Sequence, residues 1–218
     1  MTPARNRVSP RGKIIAVSGR GTLMGNRGRL HEGTGTRDIV RNFRSKAWIT
    51  CLLEFRGRYT QQWAPTHYTQ LFFFDEAVSF AVGHRPCAEC RRRDYNAYQL
   101  AWLQSHGGVR LYAKDMDAVL HRERLDTSQK SIPWNSLPDG VFVDTADGPA
   151  VVAGDHLTLF DEQAYAYGRQ LPRPADGSAS VITPPSTVAV LRAGYPVQID
   201  QSAVGSPSRD RIAPQGSA

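Results

Sequence analysis

Two cysteines set two residues apart constrain this chain more than any other feature. They lie in Gly83-His84-Arg85-Pro86-Cys87-Ala88-Glu89-Cys90-Arg91-Arg92-Arg93, a turn followed at once by three arginines. A Cys-x-x-Cys turn can aim both thiolates at one ion. Zinc matches so short a turn, because it is tetrahedral and binds sulfur well. The other common use of such a pair, a thiol–disulfide redox centre, wants the motif after a strand and opening a long helix in a βαβ setting. Here Pro86 precedes the first cysteine and a short helix precedes that, so zinc is the expected cofactor.

A closed zinc site takes four ligands. Cys51, the remaining cysteine of three, is the natural third, unless it is an ordinary buried thiol of a core strand. His67, in the turn Pro65-Thr66-His67-Tyr68, is the expected fourth. His31, in a glycine-rich loop, is an alternative; His84 is crowded by its closeness to Cys87.

The rest of the pattern reads as an α+β protein. Residues 1–12 read as a flexible basic arm, and 18–36 as a glycine-rich loop that no Gly-Lys-Ser/Thr closes into a phosphate loop. Ala47 to Arg56 is strand-like, as is Leu71 to Phe74. Asp75 caps a short helix and Gly83 ends it. A second helix runs from about Arg92 to Leu103, with Tyr95, Tyr98 and Trp102 on one buried stripe. A third runs from Asp115 to Leu125. After a polar connector at 126–138, three strands follow around Val141–Val143, Ala150–Val152 and His156–Phe160. Residues 172–180 read as loop, Ser186–Gly194 as a helix, and the end of the chain as a disordered tail. The expected organisation is a small zinc-stabilised domain of short strands and helices over 1–130, a small β-rich module over 138–204, and the tail over 205–218.

The 218 residues carry 27 Lys and Arg against 20 Asp and Glu, a net charge of +7. An excess of this size favours a polyanionic partner, nucleic acid ahead of a membrane surface. Arg85, Arg91, Arg92 and Arg93 are the candidate phosphate contacts, with Arg41, Arg44 and Lys46 as further members of the patch. Three cysteines make no disulfide framework, and no apolar run is long enough for an export signal or a membrane span, so a cytoplasmic protein is expected. Neither a Gly-x-Ser-x-Gly elbow nor a His-Glu-x-x-His helix is present. One helix does offer catalytic residue types: Asp117 and His121 share a face at i, i+4, with Arg124 one turn further on. That face is also an ordinary place for a salt bridge.

From Phe72 to Arg93 the chain resembles the second half of the metal-binding domain of the bacterial Ada family of DNA alkylation-response proteins. The matching residues are Phe74, Glu76, Ala77, Gly83, His84, Arg85, Pro86, Cys87 and Cys90. The resemblance implies that Cys87 and Cys90 are zinc ligands and that DNA is a partner. The family's upstream Cys-x-x-x-Cys pair has no counterpart; only Cys51 is available, so methyl transfer is not implied. The whole chain is also similar to a bacterial family with this turn in its first half, a likeness that implies no activity. The expected function is that of a zinc-containing nucleic-acid-binding protein in DNA repair or processing. The alternatives are a metal-assisted hydrolase or nuclease using His121 and Asp117, or an interaction module with purely structural zinc.

Overall fold

The computed structural model describes residues 2–32, 37–59 and 61–204. Two six-stranded sheets and five helices carry them. The first sheet is built from β1 (Arg5–Val8), β2 (Ile14–Ala16), β3 (Leu23–Asn26), β4 (Ile49–Cys51), β5 (Leu71–Phe73) and β6 (Arg85–Pro86), in the order β2-β1-β5-β3-β4-β6. The second uses β7 (Lys130–Pro133), β8 (Phe142–Thr145), β9 (Gly148–Ala153), β10 (His156–Asp161), β11 (Ala166–Pro172) and β12 (Ser178–Val181), in the order β11-β10-β9-β8-β12-β7, all antiparallel. The helices are α1 (Glu76–Ala81), α2 (Arg92–Ser105), α3 (Ala113–Leu125), α4 (Pro185–Arg192) and α5 (Gln201–Val204).

The mixed α+β class is as the sequence suggests, and local rules explain the elements it shows best. Asp75 caps α1 by accepting from the Val78 N–H at 2.8 Å. Gly83 follows at φ +75°, a left-handed turn that a side chain would strain. Tyr95, Tyr98 and Trp102 of α2 are buried as one stripe.

Three stretches expected as arm or loop are strands instead. The basic arm contains β1, whose Asn6 and Val8 are buried in alternation. It pairs antiparallel with β2 and parallel with β5. The Tyr165 hydroxyl fixes that junction by donating to the Val8 and Phe72 carbonyls at 3.1 and 2.7 Å. Within the glycine-rich stretch lies β3, and glycine is needed there for closeness: a Cβ on Gly25 would lie 2.3 Å from the Phe73 ring. In the Ser-rich stretch lies β12, held on both sides by β7 and β8. The expected tail, 205–218, lies outside the described residues, as do 33–36 of the glycine-rich loop.

Neighbouring residues of the second sheet face different cores. Val143, Ala150 and Val152 join Tyr98, Trp102, Met116, Leu120 and Leu191 of the helices. Phe142, Val151 and Phe160 join Leu71, Phe73, Ala77 and Val78. A sheet covered on both faces reads as unbroken apolar runs, which is why Val141-Phe142-Val143 and Ala150-Val151-Val152 show no polar alternation. Both apolar clusters draw residues from either side of 130–138.

Charged groups tie the two halves together inside. The Glu76 carboxylate is fully buried, accepting from Arg91 Nη2 at 2.6 Å, Tyr195 Oη at 2.8 Å and the Gln198 N–H at 2.9 Å. Removing one partner of such a pair leaves the other charge stranded in low dielectric. Glu76→Ala is therefore expected to lower the unfolding free energy by about 3–5 kcal/mol in a urea titration. Glu89→Ala, which breaks only the exposed pair with Arg58, is expected to cost under about 1 kcal/mol.

Burial also pushes the Asp75 carboxyl up to about 6, against the N–H groups of Val78 and Asp200 and the Tyr167 hydroxyl, which favour its ionised form. The folded chain takes up this proton before the unfolded chain does, so stability attached to Asp75 is lost as pH rises through about 6 and regained as pH falls toward 4. The stability of wild type relative to Asp75→Asn, measured by urea unfolding at pH 5.0 and 7.5, is expected to be greater at pH 5.0.

Candidate metal centre

The site begins with a strand pairing. The short strand β6 runs parallel to β4, with Ile49 opposite Arg85 and Thr50 opposite Pro86. The Arg85 N–H donates to the Trp48 carbonyl at 3.1 Å and the Cys87 N–H to the Thr50 carbonyl at 2.9 Å. This register sets Cys87 beside Cys51, the last residue of β4. The turn after Cys87 then brings Cys90 back, with the Arg91 N–H on the Cys87 carbonyl at 3.2 Å, and α2 follows.

The three sulfurs lie within 4.8 Å of one another, and this group could hold a metal ion. The spacing suits one centre: sulfurs about 2.3 Å from a tetrahedral ion lie about 3.8 Å apart. The surrounding N–H groups favour thiolate. The Glu89 N–H donates to Cys87 Sγ at 3.4 Å, the Cys90 N–H also points at Cys87, and the Leu52 N–H at Cys90. The Cys87 thiol is pulled down to about 5, first by the hydrogen bond from the Cys51 thiol and then by these N–H groups. Cys51 is pushed far up, because it keeps its proton to donate to Cys87 and because it is buried. Burial raises Cys90, and the neighbouring Cys87 adds to it. A divalent cation replaces those shared protons with a stronger positive charge.

The sulfurs are anchored at both ends of the motif by buried arginines. Arg85 binds Asp117 through two parallel bonds, Nε to Oδ1 and Nη2 to Oδ2, each 2.8 Å. Arg91 holds Glu76 and also reaches Asp94, with Nε to Oδ2 at 2.8 Å. Arg85 and Arg91 are 4% and 3% exposed, which removes them from any surface patch. Arg92 and Arg93 are exposed.

Comparison with protein-family models, curated proteins and solved structures finds no match. What the centre can do is therefore read from its own geometry.

His67 does not join the sulfurs. It is exposed in the turn closed by its N–H on the Ala64 carbonyl at 3.1 Å, with Nδ1 against Thr66 Oγ1. His31 is buried and occupied: Nδ1 meets Thr69 Oγ1 at 2.7 Å and Nε2 the Ala64 carbonyl at 3.1 Å. His84 sits between Phe73 and Trp48 and accepts from Arg27 Nε at 3.3 Å. Burial and the adjacent Arg27 and Arg124 hold it neutral, far below the usual histidine range. All six histidines of the chain are described, and none completes the group.

The helix α3 does not form the expected dyad either. Asp117 faces Arg85 rather than His121, whose ring packs edge-on against Phe43 at 4.9 Å and whose Nδ1 has no partner among the described residues. Arg124 is a structural cation. It donates to the carbonyls of Leu120, Lys46 and Asp117 and lies 4.2 Å over the Trp48 ring.

The sulfurs form one wall of a cleft of about 840 Å³. The segment after β4 supplies Phe55, Tyr59 and Trp63; Phe72 and Tyr68 add two more rings. Glu89, from between the two motif cysteines, is the one carboxylate among the described lining residues, and it pairs with Arg58 at 2.6 Å. The sequence suggests Phe55 and Phe72 as strand residues and gives no cleft role to Tyr59, Trp63, Tyr68 or Glu89. The interleaved Phe55-Arg56-Gly57-Arg58-Tyr59, aromatic and basic by turns, was the available signal.

Cys51→Ser is expected to weaken metal binding as severely as Cys87→Ser, beyond the roughly 10–100-fold typical of an outer-shell change. His67→Ala and His121→Ala are expected to leave stoichiometry unchanged. Elemental analysis and chelator competition on the purified variants check both statements.

Proposed function

We propose that the protein is a zinc-dependent hydrolase whose metal is held by Cys51, Cys87 and Cys90 and faces the adjoining cleft. One observation carries this reading: three sulfurs converge at the wall of a cleft of about 840 Å³ with no fourth protein ligand in the group among the described residues. Structural zinc sites are closed by four protein ligands, whereas catalytic ones keep a position for water or substrate. Sulfur donors on a short turn favour zinc over hard cations. The cleft volume is also in the range of small-molecule sites, about 300–1,000 Å³.

Zinc in such a position supplies Lewis acidity and lowers the pKa of a bound water. The other parts of the chemistry fall to the chain. Glu89 is the cleft carboxylate suited to take a proton from an attacking water and return it to the leaving group. Arg58 pairs with that carboxylate in the cleft lining. The backbone N–H groups of Leu52, Glu89 and Cys90 offset the excess negative charge of three thiolates. His121 and Asp117 have no part in this machinery, because Asp117 is committed to Arg85.

Cobalt(II)-substituted protein distinguishes an open from a closed site. Addition of imidazole is expected to shift the visible d–d bands, because it enters the fourth position. Sulfur-to-cobalt charge-transfer bands should mark the thiolates and disappear in Cys87→Ser. A spectrum indifferent to imidazole, or copper in place of zinc in the isolated protein, would sink this reading.

A further inference from the structure

The cleft does not end at the sulfurs. A second recess of about 670 Å³ adjoins it, and the two share Asn26, Ile49 and Tyr68 as lining residues. Their chemistry differs sharply. The cleft presents aromatic rings: Phe55, Tyr59, Trp63, Tyr68 and Phe72. Tyr59 is 88% exposed, so its ring face is open to a ligand entering the cleft. Guanidinium planes already lie against two of these rings, Arg56 over Phe55 at 4.9 Å and Arg7 over Phe72 at 5.1 Å. Rings and guanidiniums arranged this way form a stacking platform for a planar heteroaromatic group. Between them, the Gln61 and Gln62 amides offer both donors and acceptors to the edge of such a ring.

The recess has the opposite character. Its lining includes Arg29, Arg44 and His67 together with Ser45 and Thr66, and no carboxylate among the described residues. Arg44 is exposed. Two guanidiniums with hydroxyl donors and no counter-charge suit a phosphate. A single ligand spanning both parts therefore carries a flat ring at one end and a phosphate at the other.

We propose that this composite groove binds a nucleotide unit, with the base stacked in the aromatic cleft beside the sulfur cluster and the phosphate in the recess of Arg29 and Arg44. This deepens the reading of the cleft as a metal-dependent site by naming its substrate class. The same chemistry is offered by a free nucleoside monophosphate and by an unpaired nucleotide of a nucleic-acid strand.

Calorimetric titration of the full chain tests it, with metal content measured on the same samples. The probes are the common nucleoside 5′-monophosphates, the matching nucleosides, inorganic phosphate, and a single-stranded DNA tetranucleotide. At least one monophosphate is expected to bind about tenfold or more tightly than its nucleoside. Arg44→Ala should remove that advantage and leave the nucleoside unaffected. Tyr59→Ala should weaken nucleoside and monophosphate alike, by about tenfold. Both side chains are exposed, so thermal melting should match wild type. Tighter binding of the tetranucleotide with a steep salt dependence supports a nucleic-acid strand as the source; equal or weaker binding supports the free nucleotide. The proposal is overturned if no monophosphate binds, or if both variants bind it as wild type does. One zinc per chain with no nucleotide binding defeats this inference and leaves the metal reading standing. Nucleotide binding with the expected variant effects and no metal defeats the metal reading alone.

Discussion

The pairing of β6 with β4 is the constraint on which the site depends. It involves two residues on the β6 side, yet it decides which side chains meet. With Thr50 opposite Pro86, the next residue on each strand is a cysteine, and parallel neighbours on one face of a sheet are close enough for their side chains to touch. A slip of one residue would send one of the two sulfurs to the other face. So short a strand cannot hold its own register. It is held by what flanks it: Gly83 makes the turn from α1, Arg85 is clamped to Asp117 of α3, and Arg91 to Glu76 of α1. The arginines around the motif serve first to fix the sulfurs relative to three helices.

That arrangement explains what the sequence could and could not disclose. Asp75, Gly83, the aromatic stripe of α2 and the Cys-x-x-Cys turn follow from rules acting within a few residues, and all four are legible in the chain. The third sulfur was legible only because the chain has no other cysteine to offer. The position of His67 was not, because whether a turn reaches a metal is settled by distant packing, here by His31 and Thr69. Charge was legible in part: Arg92 and Arg93 are exposed, Arg85 and Arg91 are not. A row of arginines after a turn looks like a phosphate grip, but burial depends on acidic partners at Glu76 and Asp117, and no local pattern pairs them with Arg91 and Arg85.

Burial takes arginines off the surface, although the pairs Arg85–Asp117 and Arg91–Glu76 leave the net charge unchanged. Arg27, Arg85, Arg91 and Arg124 all belong to the interior or its margin. Arg27 and Arg124 are the unusual pair, lying 3.9 and 4.2 Å over the Trp48 ring, without a carboxylate in a salt bridge to either among the described residues. Burial lowers Arg27 to about 9, with the Arg124 charge adding to it, and lowers Arg124 to about 10 against the opposing pull of Asp117. The aromatic face and backbone carbonyls offset part of that cost. A neutral His84 completes the cluster, since only an unprotonated ring nitrogen can accept from Arg27 Nε. The exposed cations that remain include Arg44 and Lys46, on the segment leading to Trp48, and Arg92 and Arg93 after Cys90, but not Arg85 and Arg91.

The cleft wall and the sulfur cluster are mechanically one object. Cys51 ends β4, and Leu52, whose N–H points at Cys90, begins the segment that carries Phe55, Tyr59 and Trp63 over the cleft. The far end of that segment is pinned separately. Thr69 Oγ1 accepts from the Leu30 N–H at 2.8 Å, His31 bonds the Ala64 carbonyl, and the His31 and Trp63 rings meet edge-on at 5.5 Å. One anchor is ordinary protein chemistry, and the other is three thiols that repel one another once ionised. A cation bound between them would convert the weak anchor into a strong one, coupling metal affinity to ordering of the aromatic wall. By linkage, if a metal bound there tightened the hold on a ligand stacked on that wall, the ligand would tighten the hold on the metal by the same factor.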